Sequence, residues 1–302
     1  MTKPMLLSIA AILPLTACSA AIEPSDDVPG EDAFRIEVPA FTLQPGEETL
    51  YCYYTTLPVA ADTGVKGYSS TMTEGSHHMI LFFMPEVTQP DGTLSQCDMF
   101  GGATVTSVPV FAYASQAPVN RQDMPEGVGV PLKASQPVMI QMHYFNITDA
   151  PIVASVTIDI RTYAPELTYT PARAFVTFNT QISIPPKSPA SFEGTCDVPA
   201  GANFIVMSTH SHQYTATARV LDDSELVVET TDWVHATVAQ WSEPFRQFAS
   251  NKLTYRCDYY NPTDTTIAVG ESALHDEMCM AVGYFFPSDR DVFCLDSKIL
   301  NL

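Results

Sequence analysis

The sequence predicts an all-β protein of two antiparallel domains. Three observations carry that reading. Apolar residues recur with a period of two: Ile152, Ala154, Val156, Ile158 and Ile160 share one parity, while Ser155, Thr157 and Asp159 fill the other, as in a half-buried strand. The 24 Pro and 14 Gly punctuate the chain often, which favours short strands over long helices. No long, well-capped amphipathic helix can be found, and 234–248 reads as at most a short helical or irregular segment. Many short strands with frequent turns indicate antiparallel sandwiches or barrels. At 302 residues the length agrees with two domains of roughly 150 residues each.

Taken in order, residues 1–17 carry one early Lys3, an apolar run from Met5 to Leu15 and small residues before Cys18. A basic start, a short apolar run and a small-residue cut site describe a secretory signal, and the run is too short to span a bilayer as a stable helix. Leu15-Thr16-Ala17-Cys18 resembles the lipobox of bacterial lipoproteins, in which the Cys is lipidated and becomes the mature N-terminus; the alternative is an ordinary signal peptide with an incidental Cys. Residues 18–33 are acidic and Pro/Gly-bearing, a solvated tether between anchor and body. Strand-like runs follow at 35–38, 78–83, 138–145, 152–160, 175–184, 204–207, 216–221, 252–259 and 281–286. The stretch 163–171 holds two Pro and sets the junction, giving domains 34–166 and 167–302. No internal repeat is visible.

Composition limits the partners. Apolar residues make up 46% of the chain, enough for a sizeable core, and 34 Asp and Glu against 14 Lys and Arg give a formal charge of −20. Nucleic acid is excluded as a partner, because phosphate binding needs a basic face. Seven Cys are present; setting Cys18 aside leaves six, an even number in an exported, oxidising setting, for which three disulfides are expected among fifteen possible pairings. No CxxC pair supports a thiolate metal site.

The histidines carry the chemistry. Five of seven fall in three tight groups: His77-His78, His143 within Gln141-Met142-His143-Tyr144, and His210-Ser211-His212. Residues i and i+2 of a strand share a face, so His210 and His212 can hold one ion. Adjacent His77 and His78 would point to opposite faces of a regular strand, and both reach one ion only at a strand end or bulge, or through different ring nitrogens. Gly75 just before them permits such a bend. Neutral imidazole suits Cu, Zn, Fe or Ni, so the histidines alone do not name the metal. His235 and His275 lie outside these groups.

The ordered set His77-His78-Met79, Gln141-Met142-His143-Tyr144, Thr209-His210-Ser211-His212 and Asp276-Glu277-Met278-Cys279 resembles the ascorbate-dependent type II copper monooxygenases, which include peptidylglycine α-hydroxylating monooxygenase and dopamine β-monooxygenase. The resemblance extends over about residues 50 to 295. It implies two jelly-roll-like β-sandwich domains with a cleft between them and two copper ions facing each other across it. His77, His78 and His143 would hold an electron-storing copper; His210, His212 and Met278 would hold the copper that binds O2 and attacks substrate. The Met thioether is a soft donor that selects Cu(I). The resemblance further implies disulfides 52–97, 196–294 and 257–279, and hydroxylation of a substrate C–H bond with ascorbate or another one-electron reductant. Gln141, on the strand face of His143, is a candidate to orient that copper's surroundings.

Departures bear on the substrate. Peptide-amidating members carry an Arg where this chain has Ser208, and an Asn and a Tyr where it has Met280 and Val282. An apolar side chain cannot hydrogen-bond a carboxylate, so the expected small-molecule substrate is neutral and partly apolar rather than a peptidylglycine. The rival reading is a copper-binding or copper-buffering lipoprotein without turnover. Either way the expected location is a bacterial membrane reached only through the lipid anchor, with Ser19 after Cys18 favouring the outer membrane.

Overall fold

The computed structural model describes residues 33–98 and 109–300, and every regular element among them is a β-strand. The expected signal sequence, Cys18 and nearly all of the tether lie outside the described residues; Ala33 already opens the first strand.

The first half of the chain folds into two facing sheets. One orders its strands Ala33–Glu37, Val156–Thr162, Thr63–Met72, Val128–Leu132 and Thr170–Pro171, with Val119–Asp123 also paired to Thr63–Met72. The other runs Thr93–Gln96, Glu48–Thr56, Pro137–Phe145, Ser76–Phe83 and Val110–Ser115. The second half repeats the plan: Val238–Gln240, Asn203–Ser211, Cys279–Phe286, Arg173–Phe178, Val292–Leu295 and Lys298–Leu300 form one sheet, and Pro189–Asp197, Lys252–Tyr260, Thr215–Asp222 and Glu225–Thr230 the other. Pairing between strands is antiparallel except where Thr170–Pro171 runs beside Val128 and Gly129, and Arg173–Phe178 beside Val292–Leu295; an isolated bridge, Val269 with Glu277, is also parallel. The chain is thus all-β, of the sandwich class that its period-two pattern predicts.

Two expected strands are broken, each for a local reason. The 152–160 run splits into Ile152–Ala154 and Val156–Thr162, which join different sheets. Ser155 between them donates its N–H to Thr73 Oγ1 and accepts the Tyr144 hydroxyl on its carbonyl, so its backbone is satisfied outside either ladder. The 175–184 run breaks at Asn179, whose Oδ1 accepts the Gln181 N–H in a tight turn. The Thr63–Met72 strand gives little sequence signal because Gly64 and Gly67 interrupt it. A Cβ at Gly64 would strike the Tyr169 ring, and one at Gly67 would strike Arg161 and Asp123, so both glycines admit side chains laid across the strand. Residues 234–248 hold only the short strand Val238–Gln240 and no helix.

A turn recurs that was not apparent as a repeat. Phe145 and Tyr260 each lead into Asn-x-Thr-Asp, at Asn146–Asp149 and Asn261–Asp264. In both, the buried Asn accepts the N–H and hydroxyl of the Thr two residues on and donates to backbone carbonyls, Leu43 and Ala150 in one case and Ile184, Pro185 and Thr265 in the other.

The core positions the site. One apolar cluster joins the first half's inner residues to the outer face of the Asn203–Ser211/Cys279–Phe286 sheet, through Ala174, Val176, Ile205, Val206 and Tyr284. The Tyr284 hydroxyl donates to the Ala112 carbonyl at 2.5 Å, a buried tie between the halves. The six cysteines close three disulfides, Cys52–Cys97, Cys196–Cys294 and Cys257–Cys279.

Candidate metal centre

The histidines of both halves meet at this junction. In the ladder between Ser76–Phe83 and Pro137–Phe145, His143 lies directly opposite His78 and Tyr144 opposite Ser76, so His77 is the extra residue of a β-bulge. Gly75 precedes it at φ +86°, where a Cβ would strike Ile152 and come within 2.8 Å of the Phe145 carbonyl. Bulge and glycine together bring His77 and His78 into one cluster, their ring centroids 5.0 Å apart, instead of on opposite faces of the sheet. From the second half, His210 sits opposite Met280 near the end of its strand, and His212 follows just beyond Ser211. The ladder ends with Ser211 opposite Cys279; just beyond it His212 and the buried Met278 both donate their N–H groups to the Glu277 carboxylate.

The two histidine groups, expected to face one another across a cleft, are in ring contact. His77 lies 5.1 Å from His210 and 5.4 Å from His212, as close as it lies to its own neighbours; His78 is 4.9 Å from His210. Ligand nitrogens of His77, His78 and His143 fall within 4.8 Å of one another, and so do those of His77, His210 and His212. His77 therefore belongs to both triads. His77 and His212 are fully buried, His78 and His143 nearly so, and His210 half-buried. His235 and His275 are exposed and apart from the cluster.

Hydrogen bonds at the outer ring nitrogens fix which lone pairs turn inward. His143 Nε2 donates to Glu48 Oε1 at 2.9 Å. His212 Nδ1 donates to the Asp276 carbonyl at 3.3 Å, which leaves Nε2 as the lone-pair nitrogen. Gln116 donates its amide N–H to the Trp233 carbonyl and turns its oxygen to His210 Nδ1, so His210 also presents Nε2. Those two Nε2 atoms, His78 Nδ1 and both nitrogens of His77 are buried and have no hydrogen-bond partner. Among the described residues, these make up half of the ten buried side-chain N and O atoms left unpaired. Unpaired buried polar atoms are rare because each costs about 1–3 kcal/mol, so five in one cluster fit a site completed by a metal ion. Burial, and then repulsion among the rings, holds His77, His78 and His212 well below the usual histidine range, and burial holds His210 down to about 3. Neutral imidazole is the form that binds metals.

Around the cluster stand residues that motif reading passed over. Glu48 accepts His143, the Ser272 hydroxyl at 2.5 Å and the Ala273 N–H at 2.6 Å, so one carboxylate ties a ring of the first half to a loop of the second. Burial alone would raise its carboxyl; the bonds from His143, Ser272 and Ala273 outweigh that and hold it low. Its only sequence trace is its place opposite Phe145 in a ladder that no local motif announces. Trp233 covers the cluster, 5.3 Å from His77 and 6.0 Å from Phe145. Glu277, inside the Asp-Glu-Met-Cys motif, is fully buried and accepts N–H groups of His212, Tyr214 and Met278 and the Thr215 hydroxyl. Burial nevertheless pushes its carboxyl up to about 7. Gln141 shares the face of His143, and its side chain hydrogen-bonds the His78 ring and donates to the Asp98 carbonyl at 3.2 Å.

Met280 and Val282 are half-buried and pack on the core that the halves share. Ser208 donates to the Thr237 carbonyl at 2.8 Å. A cavity of about 700 Å³ opens elsewhere along the junction, between Gln122–Val128 and Trp241, Phe245 and Phe286, and no histidine lines it.

Set beside known proteins, the chain matches no protein-family model and no curated protein. Among solved structures it resembles the major capsid protein P2 of bacteriophage PM2, at 9% identity and a TM-score of 0.31 over 85% of this chain and 98% of that one. It also resembles the cowpea mosaic virus top component, at 9% identity and a TM-score of 0.29 over 90% and 94%. Likeness at this level says nothing about activity.

Proposed function

We propose that this protein is a copper-dependent monooxygenase that hydroxylates a C–H bond of a neutral, partly apolar small molecule, using O2 and a one-electron donor such as ascorbate. The observation that carries the reading is the convergence of His77, His78, His143, His210 and His212 on one buried cluster whose inward nitrogens lack partners. Imidazole-rich sites suit copper, and the motif order across 77–79, 141–144, 209–212 and 276–279 supplies the reaction class. The oxygen-reacting position is assigned to His210, His212 and Met278.

Bound copper, cycling between Cu(I) and Cu(II), would supply electron transfer and oxygen activation. The chain's own residues prepare the place. Glu48, the Asp276 carbonyl and Gln116 each accept one ring N–H, fixing His143, His212 and His210 in single tautomers before any ion arrives. Gln141 steadies His78. Glu277 gathers the N–H groups flanking His212 and Met278, which sets the loop carrying both. Trp233 keeps bulk water from His77.

The three disulfides and the Leu-Thr-Ala-Cys sequence support export and lipid attachment at Cys18, with the membrane reached through the lipid alone. The test is copper stoichiometry together with ascorbate-driven O2 uptake on the purified protein and on Met278→Ala, over a panel of small C–H substrates. Two coppers per chain with substrate-stimulated uptake, lost in the variant, is the expected result. Copper bound without any stimulated uptake would favour the buffering reading, and no copper would overturn the assignment.

A further inference from the structure

We propose that the cavity beside Gln122 is a binding site for an uncharged, largely apolar small molecule bearing a hydroxyl group. The inference stands apart from the copper reading, since no histidine lines the cavity and its test needs no metal. At about 700 Å³ the space falls within the roughly 300–1,000 Å³ of ligand pockets. Both halves of the chain build it. Val119–Asp123 and the turn after it supply Gln122 to Val128, and the chain leaving Val238–Gln240 supplies Trp241 and Phe245. Met124, Val128, Ile205 and Val206, all buried members of the shared core, give it an apolar wall. Trp241, Phe245 and Phe286 are only half-buried there, and the last two meet edge to face with centroids 4.9 Å apart. Half-buried aromatic rings around a cavity are surface that the apolar body of a ligand covers.

Gln122 supplies the polar contact. In the ladder it lies opposite Tyr68, which is fully buried in the core, while Asp123 beside it pairs with Arg121 and Arg161. Alternation along the strand therefore turns the Gln122 side chain inward, to the side where Ile205 and Val206 pack. Gln122 is 7% exposed, and its amide nitrogen is buried without a hydrogen-bond partner. Turning the carboxamide about its last bond exchanges nitrogen and oxygen, and a ligand hydroxyl, both donor and acceptor, suits either orientation. Charge selects further. No Lys, Arg or His lines the cavity, whereas Glu126 and Glu243, one from each half, are exposed carboxylates on its rim. An anion would enter against two like charges with no cation to meet it, so carboxylates and phosphates are rejected.

The probes are three naphthalenes of matched shape, titrated into the full protein by calorimetry: 2-naphthol, uncharged at neutral pH; naphthalene, without the hydroxyl; and 2-naphthoate, an anion. One 2-naphthol per chain is expected, with naphthalene about 3–10-fold weaker for want of the hydrogen bond. Binding of 2-naphthoate should be weaker than that of naphthalene. Gln122→Leu should weaken 2-naphthol about 3–10-fold and leave naphthalene within about twofold, a difference that a general loosening of the fold would not produce. Phe245→Ala should weaken both uncharged probes, and circular dichroism on each variant confirms that it folds. Copper stoichiometry should be the same in Gln122→Leu as in the wild type. No binding of 2-naphthol, or 2-naphthoate bound as tightly, would overturn the proposal. So would a Gln122→Leu variant in which the two uncharged probes lose affinity equally. None of these results bears on the copper reading, which copper stoichiometry tests separately.

Discussion

Replacing Glu48 by alanine should damage the site and the junction between halves together, by amounts the hydrogen bonds allow to be worked out. The carboxylate is 16% exposed and accepts three donors: the His143 ring, the Ser272 hydroxyl and the Ala273 N–H. Hydrogen bonds to a charged acceptor contribute about 1.5–3 kcal/mol each, but three that share one carboxylate are not additive. A net loss of about 3 kcal/mol is expected, mostly from the Ala273 N–H and the His143 ring left without acceptors. Removal of a carboxylate that orients a ligating histidine typically weakens metal binding about 10–100-fold, or about 1.4–2.7 kcal/mol. Two assays separate the effects: urea unfolding of the metal-free protein, and copper affinity by competition with a chelator. Glu48→Gln is the discriminating variant, since its amide oxygen can still accept the Ala273 N–H while the charge facing His143 is gone. Stability near wild type with weakened copper binding is expected for it. Glu48→Ala that loses stability but binds copper as tightly as wild type would refute the orienting role and leave Glu48 a clamp only.

Three more outcomes follow from single contacts. Gly75→Ala forces a side chain onto φ +86° and against Ile152 and the Phe145 carbonyl, so a stability loss of about 2–3 kcal/mol in a thermal melt should accompany weaker copper binding as the bulge shifts. Tyr284→Phe leaves the Ala112 carbonyl unpaired between the halves and should cost about 1–2 kcal/mol by urea unfolding, with copper stoichiometry unchanged. Burial alone would raise the Asp222 carboxyl, but bonds from Ser250 and the Ala249 N–H and the charge of Arg246 outweigh it and hold it below 3.8. A lowered carboxyl stabilises above its unfolded value and is lost as pH falls through its folded one, so stability should drop below pH 3.8, and Asp222→Asn should be less stable at neutral pH yet show a shallower acid slope.

Much of the fold was legible because its strands are half-buried. Alternation within 152–160 marks a half-buried strand, whose inner face must stay apolar whatever its partner; the apolar run at 138–145 marks a strand buried on both faces, and 281–286 lies between the two. Thr63–Met72 was illegible because its buried Val65 and Tyr68 stand three apart, out of strand parity, among Gly64, Lys66, Gly67 and small polar residues, while side chains of Tyr169, Arg161 and Asp123 cover its glycines. The paired Asn-x-Thr-Asp turns escaped notice because their likeness lies in what the buried Asn bonds to, while the strands around them share little sequence. The disulfide pairs came from resemblance and not from spacing, which alone leaves fifteen pairings open.

The site divides along the same line. Cluster histidines that come in pairs leave a local mark: His210 and His212 by their spacing, and His77-His78 by the glycine needed to bend the strand beneath them. Residues that hydrogen-bond those rings do not. Glu48 reaches His143 across two strands 95 residues apart, and Gln116 links His210 to Trp233 across 94 and 117. Nothing near Glu48 or Gln116 in sequence distinguishes either from an ordinary surface residue; only the register of a ladder and the packing of one half on the other bring them to the rings. The sharing of His77 is hidden for the same reason. Each motif names its own histidines, and the distance between motifs is a property of how the two halves meet.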